Sequence, residues 1–154
     1  MNGDPLRRFE AEHEEALAAL ERLERAAEAL RGRTPPEAPL AVAGEVHRFL
    51  AGAVREHNEA EERALFPLLG SETPLEPFRE EHQVLWGLEE RLGRAVGRAD
   101  GPEVAELSVE IVQLLRSHIQ RENEVLFPVA RERLGPEGLA AVAKALQSLR
   151  GSAM

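Results

Sequence analysis

The chain has 154 residues, enough to bury a core as one domain spanning 1–154, and no cysteine, which excludes disulfides, iron–sulfur clusters and zinc–thiolate sites. Its net charge of −9 argues against nucleic acid or an anionic membrane as a partner. No apolar run approaches the roughly 20 residues of a membrane span, and Met1-Asn2-Gly3-Asp4-Pro5 lacks an apolar leader, so the expected location is cytoplasmic.

Alanine, leucine, glutamate and arginine dominate, a composition that favours helix almost throughout. A first helix is expected from Asp4, with Pro5 where a missing N–H does no harm, to about Arg31. Phe9, His13, Leu17, Leu20, Leu23 and Leu30 keep helical spacing along it. After a proline-rich turn, where Thr34-Pro35-Pro36-Glu37 resembles a capping box, a second helix carries Val46/His47, Leu50, Val54, His57, Glu61 and Leu65 on one stripe. Thr73-Pro74-Leu75-Glu76 signals the start of a third, with Phe78, His82, Leu85/Trp86, Glu89 and Leu92 inward and its C-terminal end weakened by glycines. Asp100-Gly101-Pro102-Glu103 opens a fourth, with Val104, Leu107, Ile111, Leu114/Leu115, His118, Glu122 and Val125 inward. Gly135-Pro136 ends it and begins a short fifth helix to about residue 150, whose apolar face docks on the bundle or makes an oligomer contact. The expected fold is all-α: an up-down-up-down antiparallel four-helix bundle over about 4–134 plus the C-terminal helix.

Two stretches read His-x3-Glu-x3-Leu-Phe-Pro without gaps: His57 to Pro67 and His118 to Pro128. Residues i and i+4 stack on one helix face about 6 Å apart, so each stretch offers an imidazole and a carboxylate to one cation. Upstream of each lies a lone Glu-His, Glu12-His13 and Glu81-His82, set in register 69 residues apart. A single His-x3-Glu on a charged helix is ordinarily a solvated pair, but two in-register copies with partner histidines on apolar stripes reverse that reading. Burying four imidazoles and two carboxylates unpartnered would cost several kcal/mol per ionised group, and a cation pair removes the penalty. Nitrogen and oxygen donors without thiolate suit iron, manganese or zinc. His13 and His57 on one ion, His82 and His118 on the other, bridging Glu61 and Glu122, and an oxo or hydroxo bridge leave one open position per ion.

Other residues fit blander roles. His47 lies about 15 Å of helix rise before His57, too far to join, and reads as a core or boundary histidine. Glu10 suits a solvated or capping role better than a fifth ligand. Glu14, Glu56, Glu62 and Glu81 read as exposed, and Trp86 reads as core packing that also walls the metal pocket. Pro67 and Pro128 imply a kink or helix end, with Phe66 and Phe127 sealing the bundle there. A ferritin-like site needs Glu-x-x-His on two helices. Only Glu10 to His13 matches, since Val54, Arg79 and Leu115 hold the other places.

With these residues the chain resembles the hemerythrin-like (HHE cation-binding) family over about residues 4–134. The resemblance implies a non-haem di-iron centre with His13, His57, Glu61, His82, His118 and Glu122 as metal ligands. It implies binding of dioxygen, another small diatomic or peroxide, in oxygen or redox sensing or stress response. The alternatives are a di-iron enzyme acting on peroxide, oxygen or nitric oxide, and a module whose partner binding follows iron occupancy, with a homodimer or a separate protein as partner. The chain departs from the oxygen carriers in two places. Phe78 and Trp86 stand where a further third-helix histidine would be, and His118-x3-Glu122 replaces His-x4-Asp, with Asn123 at the aspartate position.

Overall fold

The computed structural model describes residues 3–152; Met1 and Asn2, part of the stretch read as lacking a leader, lie outside it. Helix α1 spans Leu6–Arg31, and the Asp4 carboxylate accepts from the Leu6 N–H at 2.8 Å. Helix α2 covers 37–69 and is not uniform: π-helical turns at Leu50–Val54 and Glu61–Leu65 interrupt α-helical Glu37–Phe49, Arg55–Ala60 and Phe66–Leu69. Helix α3 is Glu76–Gly97. Helix α4 covers 101–134, with α-helical Gly101–Arg121, a π turn at Glu122–Leu126 and an α-helical end. Gly135 (φ 61°) breaks the chain before α5, residues 136–152.

Each long helix packs on the next and α4 closes on α1, giving the all-α antiparallel bundle. Helix α5 docks on it: Val142 and Leu146 are buried with Leu6, Phe9, Ala64 and Phe66. Arg131 ties the end of α4 to the start of α1 through Asp4 and through Glu10, 2.9 Å away, so Glu10 is engaged in an ion pair.

The helix ends follow local chemistry in part. The Asp100 carboxylate accepts from the Glu103 N–H at 3.2 Å, a cap of about 1 kcal/mol at the start of α4. Thr73 behaves otherwise: its hydroxyl donates back to the Leu69 carbonyl at 3.3 Å, and α3 begins only at Glu76. Helix α3 stays continuous through Gly93, where a Cβ would come within 2.5 Å of His47 Nε2, so the glycine there makes room for a side chain of α2.

The prolines do not end their helices. A proline has no N–H to donate, and its ring would strike the carbonyl four residues back. Both helices meet this with one extra residue in the preceding turn: the Phe66 N–H donates to the Glu61 carbonyl and the Phe127 N–H to the Glu122 carbonyl, five residues back. The widened turn also shifts the helix face, so Leu126 is buried and Val125, expected inward, is 56 % exposed.

Two apolar cores result. One holds Ala16, Leu20, Leu23, Val54, Leu92, Leu107, Ile111, Leu115 and Ile119 and is aliphatic. The other holds all of the chain's phenylalanines that are fully or nearly buried, Phe9, Phe66, Phe78 and Phe127, with Leu6, Leu65 and Leu126. Each buried Leu or Phe contributes about 1.5–3 kcal/mol. Between the cores lies a polar layer.

Candidate metal centre

That layer contains His13 from α1, His57 and Glu61 from α2, His82 from α3, and His118 and Glu122 from α4. All six side chains are buried, and they form two groups whose candidate donor atoms lie within 4.8 Å of one another: His13, His57, Glu61 and Glu122, then Glu61, His82, His118 and Glu122. The two carboxylates belong to both groups, and their oxygens divide between them. Glu61 turns Oε2 to His57 Nε2 at 3.0 Å and Oε1 to His82 Nε2 at 3.3 Å. Glu122 turns Oε1 to His13 Nε2 at 2.9 Å and Oε2 to His118 Nε2 at 3.2 Å. One oxygen of each carboxylate thus serves each pair of histidines.

His57 Nε2 and Glu61 Oε2 are hydrogen-bonded, but elsewhere in the layer proximity is not pairing. Nε2 of His13, His82 and His118, Oε1 of Glu61 and both oxygens of Glu122 are buried without a hydrogen-bond partner. Buried polar atoms are ordinarily satisfied, and each that is not costs about 1–3 kcal/mol, more when charged. Lone pairs that converge on one another across about 3 Å, without hydrogen-bond geometry, are what a cation between them would satisfy. Nitrogen and oxygen donors without sulfur fit iron, manganese or zinc.

The outward nitrogen of each imidazole is held by the neighbouring helix. His57 Nδ1–H donates to Glu12 at 2.8 Å, His82 to Glu62 at 2.6 Å, His118 to Glu81 at 2.7 Å and His13 to Asn123 at 2.7 Å. These bonds run in one direction around the bundle: α1 holds the histidine of α2, α2 that of α3, α3 that of α4, and α4 that of α1. They fix the tautomer so that every Nε2 faces inward. Glu62 and Glu81, expected as plain surface residues, therefore act on the site, whereas Glu14 and Glu56 are exposed. The missed signal is adjacency: a residue next to an inward-facing one lies about 100° around the helix, where it meets the next helix.

The charges are coupled. Burial opposes protonation of His57, but Glu61, Glu12 and Glu122 outweigh it and push the imidazole up to about 10. Burial likewise opposes protonation of His118, and Glu122, Glu61 and Glu81 push it up to about 9. Burial of Glu61 opposes its ionisation, yet His57 and His82 hold it well below the usual carboxylate range. A cation entering here must displace protons, so uptake falls as pH is lowered.

One end of the layer is closed by aromatic rings. Phe127 stacks on His13 (5.4 Å between centroids) and Phe66 on His82 (6.2 Å), while Phe9 and Phe78 meet His57 and His118 edge-on at 5.1 and 5.6 Å. The aliphatic side is looser. A cavity of about 100 Å³ beside Ala16, Val54 and Ile119 reaches His13, His57 and His118. A second, of about 230 Å³ between α2 and α3, reaches His82. Trp86 lines the second cavity and is 43 % exposed, under the Arg55 guanidinium at 4.3 Å, so it is no core residue. The inward position is Leu85. His47 is bonded to the buried Glu89 at 2.9 Å, which also takes Arg55 at 2.6 Å.

A helical bundle with two buried His/Glu groups sharing their carboxylates has the form of a metal-binding module. Residues 4–130 match the family model described as hemerythrin HHE cation binding domain, and the chain belongs to that family. Comparison with curated proteins and with solved structures gave no match. Among the described residues, no helix is long and apolar enough to cross a membrane.

Proposed function

We propose that this chain is a single di-iron domain that binds dioxygen or a related small diatomic between its two cores, for oxygen or redox sensing or a stress response. The observation that carries the metal reading is the set of buried donor atoms without hydrogen-bond partners, divided so that each shared carboxylate gives one oxygen to each histidine pair. In this reading His13 and His57 would hold one ion and His82 and His118 the other, with Glu61 and Glu122 shared between the two groups. Iron at such a site supplies a reversible change of oxidation state together with coordination positions not filled by protein.

The chain's own residues define what can approach. Phe9, Phe66, Phe78 and Phe127 close one side of the layer, so a ligand approaches from the other. The cavity of about 100 Å³ beside Ala16, Val54 and Ile119 gives a small molecule a route to His13, His57 and His118. Glu12, Glu62, Glu81 and Asn123 orient the imidazoles so that each Nε2 faces the ion, which takes the place of any proton held there. The larger cavity at His82 supports a second reading, an enzyme turning over peroxide, oxygen or nitric oxide.

Anaerobic loading with Fe(II) tests both. Two ions per chain and a visible absorption that appears with oxygen and vanishes on its removal are expected. Irreversible oxidation with loss of peroxide over many turnovers per iron favours the enzyme. Failure to hold two ions removes both readings.

A further inference from the structure

The four outer hydrogen bonds are alike except at one place. Glu62 and Asn123 occupy the same position in the two copies of the repeat, each directly after a shared glutamate and each accepting from a histidine of the next helix. One is a carboxylate and the other a neutral amide. The flanking arginines do not even this out. Glu12 is paired with Arg8 at 3.3 Å, and Glu81 with Arg121, so those two are balanced alike. Among the described residues Glu62 has only His82 as its ion-pair partner. Among the outer hydrogen-bond partners and the arginines paired with them, the His82/His118 group thus has one more negative charge than the His13/His57 group.

The geometry points to Asn123 as a positioning residue that makes the two ion sites unequal, so that the His82/His118 site fills first and the His13/His57 site fills second and releases its ion more readily. This rests on the metal reading above. An imidazole whose outer N–H meets a carboxylate is a stronger donor at its other nitrogen than one whose N–H meets an amide oxygen. Losing such a partner ordinarily lowers metal affinity about 10- to 100-fold. The extra charge also favours a dication directly, because a partly buried charge is screened less than a surface one. Since Asn123 still accepts at 2.7 Å, His13 keeps its orientation, and the difference lies in donor strength.

Zinc(II) titration of the metal-free chain separates these effects, with calorimetry for affinity, native mass spectrometry for stoichiometry and circular dichroism to verify folding. H13A leaves one complete histidine pair and H82A leaves the other. The expected result is that H82A holds its ion about 10- to 100-fold more weakly than H13A. Adding N123E to H82A closes most of that gap, and adding E62N to H13A opens a loss of similar size. In the otherwise native chain, E62N alone brings the two binding steps together and N123E does the same at higher affinity. Equal affinities for H13A and H82A, or a gap that N123E leaves unchanged, overturn the proposal while two-ion binding by the native chain keeps the metal reading intact. Fewer than two ions on the native chain defeats the metal reading and this proposal together.

Discussion

The aliphatic core and the aromatic core flank the same polar layer and do different work. The aliphatic core, from Leu20 and Leu23 through Ile111 and Leu115, holds four long helices together and leaves two cavities against the histidines. The aromatic core places one ring on each histidine and receives α5. The difference shows how one bundle keeps a site rigid on one side and accessible on the other: flat rings fill space beside an imidazole, whereas small branched side chains leave gaps.

The largest expected effect comes from breaking the rigid side. Phe127→Ala removes the ring stacked on His13 and should cost about 3–5 kcal/mol in urea unfolding of the metal-free chain. It should also weaken zinc binding. Leu92→Ala, in the aliphatic core, should cost about 2–5 kcal/mol yet leave two ions per chain. If both variants change metal binding alike, the division of labour fails.

The polar layer itself responds to pH. His57 at about 10 and His118 at about 9 lie above their unfolded values, so their stabilisation is complete below about pH 6.5 and is lost as pH rises through 9 to 10. Glu61 is shifted the other way, and its contribution is lost as pH falls below about 4.5. Denaturant midpoints of the metal-free chain should therefore peak between about pH 4.5 and 6.5; a midpoint that rises from about 6.5 to 9.5 contradicts the charge arrangement.

A smaller effect is expected from filling the accessible side. Val54 borders both cavities, and Val54→Trp should cost about 1–3 kcal/mol through overpacking. Metal stoichiometry should be unchanged while the optical response of the iron-loaded chain to oxygen slows about tenfold; an unaltered rate in stopped-flow would place the route elsewhere. Smallest is Trp86→Ala. With the indole 43 % exposed and its main contact the Arg55 guanidinium, the loss should stay near or below about 1 kcal/mol in thermal unfolding.

The bundle and the gathering of His13, His57, Glu61, His82, His118 and Glu122 are legible because helical period and a doubled motif encode them directly. Hidden from the sequence is whatever depends on a neighbouring helix. Glu62 and Glu81 look like surface charges, since only the adjacent helix reveals that an imidazole N–H waits there. Val125 and Leu126 exchange places because a 3.6-residue period cannot anticipate an extra residue in a turn, although Pro128 just beyond them is its physical cause. Trp86 misleads for a simpler reason: Leu85 beside it fits the stripe as well and needs less space.

The one-way ring of outer hydrogen bonds has a consequence for chain architecture. Two of its links lie within a hairpin, α1 to α2 and α3 to α4, and two cross from one hairpin to the other. A pair of identical hairpins associating as separate molecules would have to use the same residue for both crossing links. Covalent tandem joining lifts that constraint, and it is the crossing links, Glu62 and Asn123, that carry different side chains here.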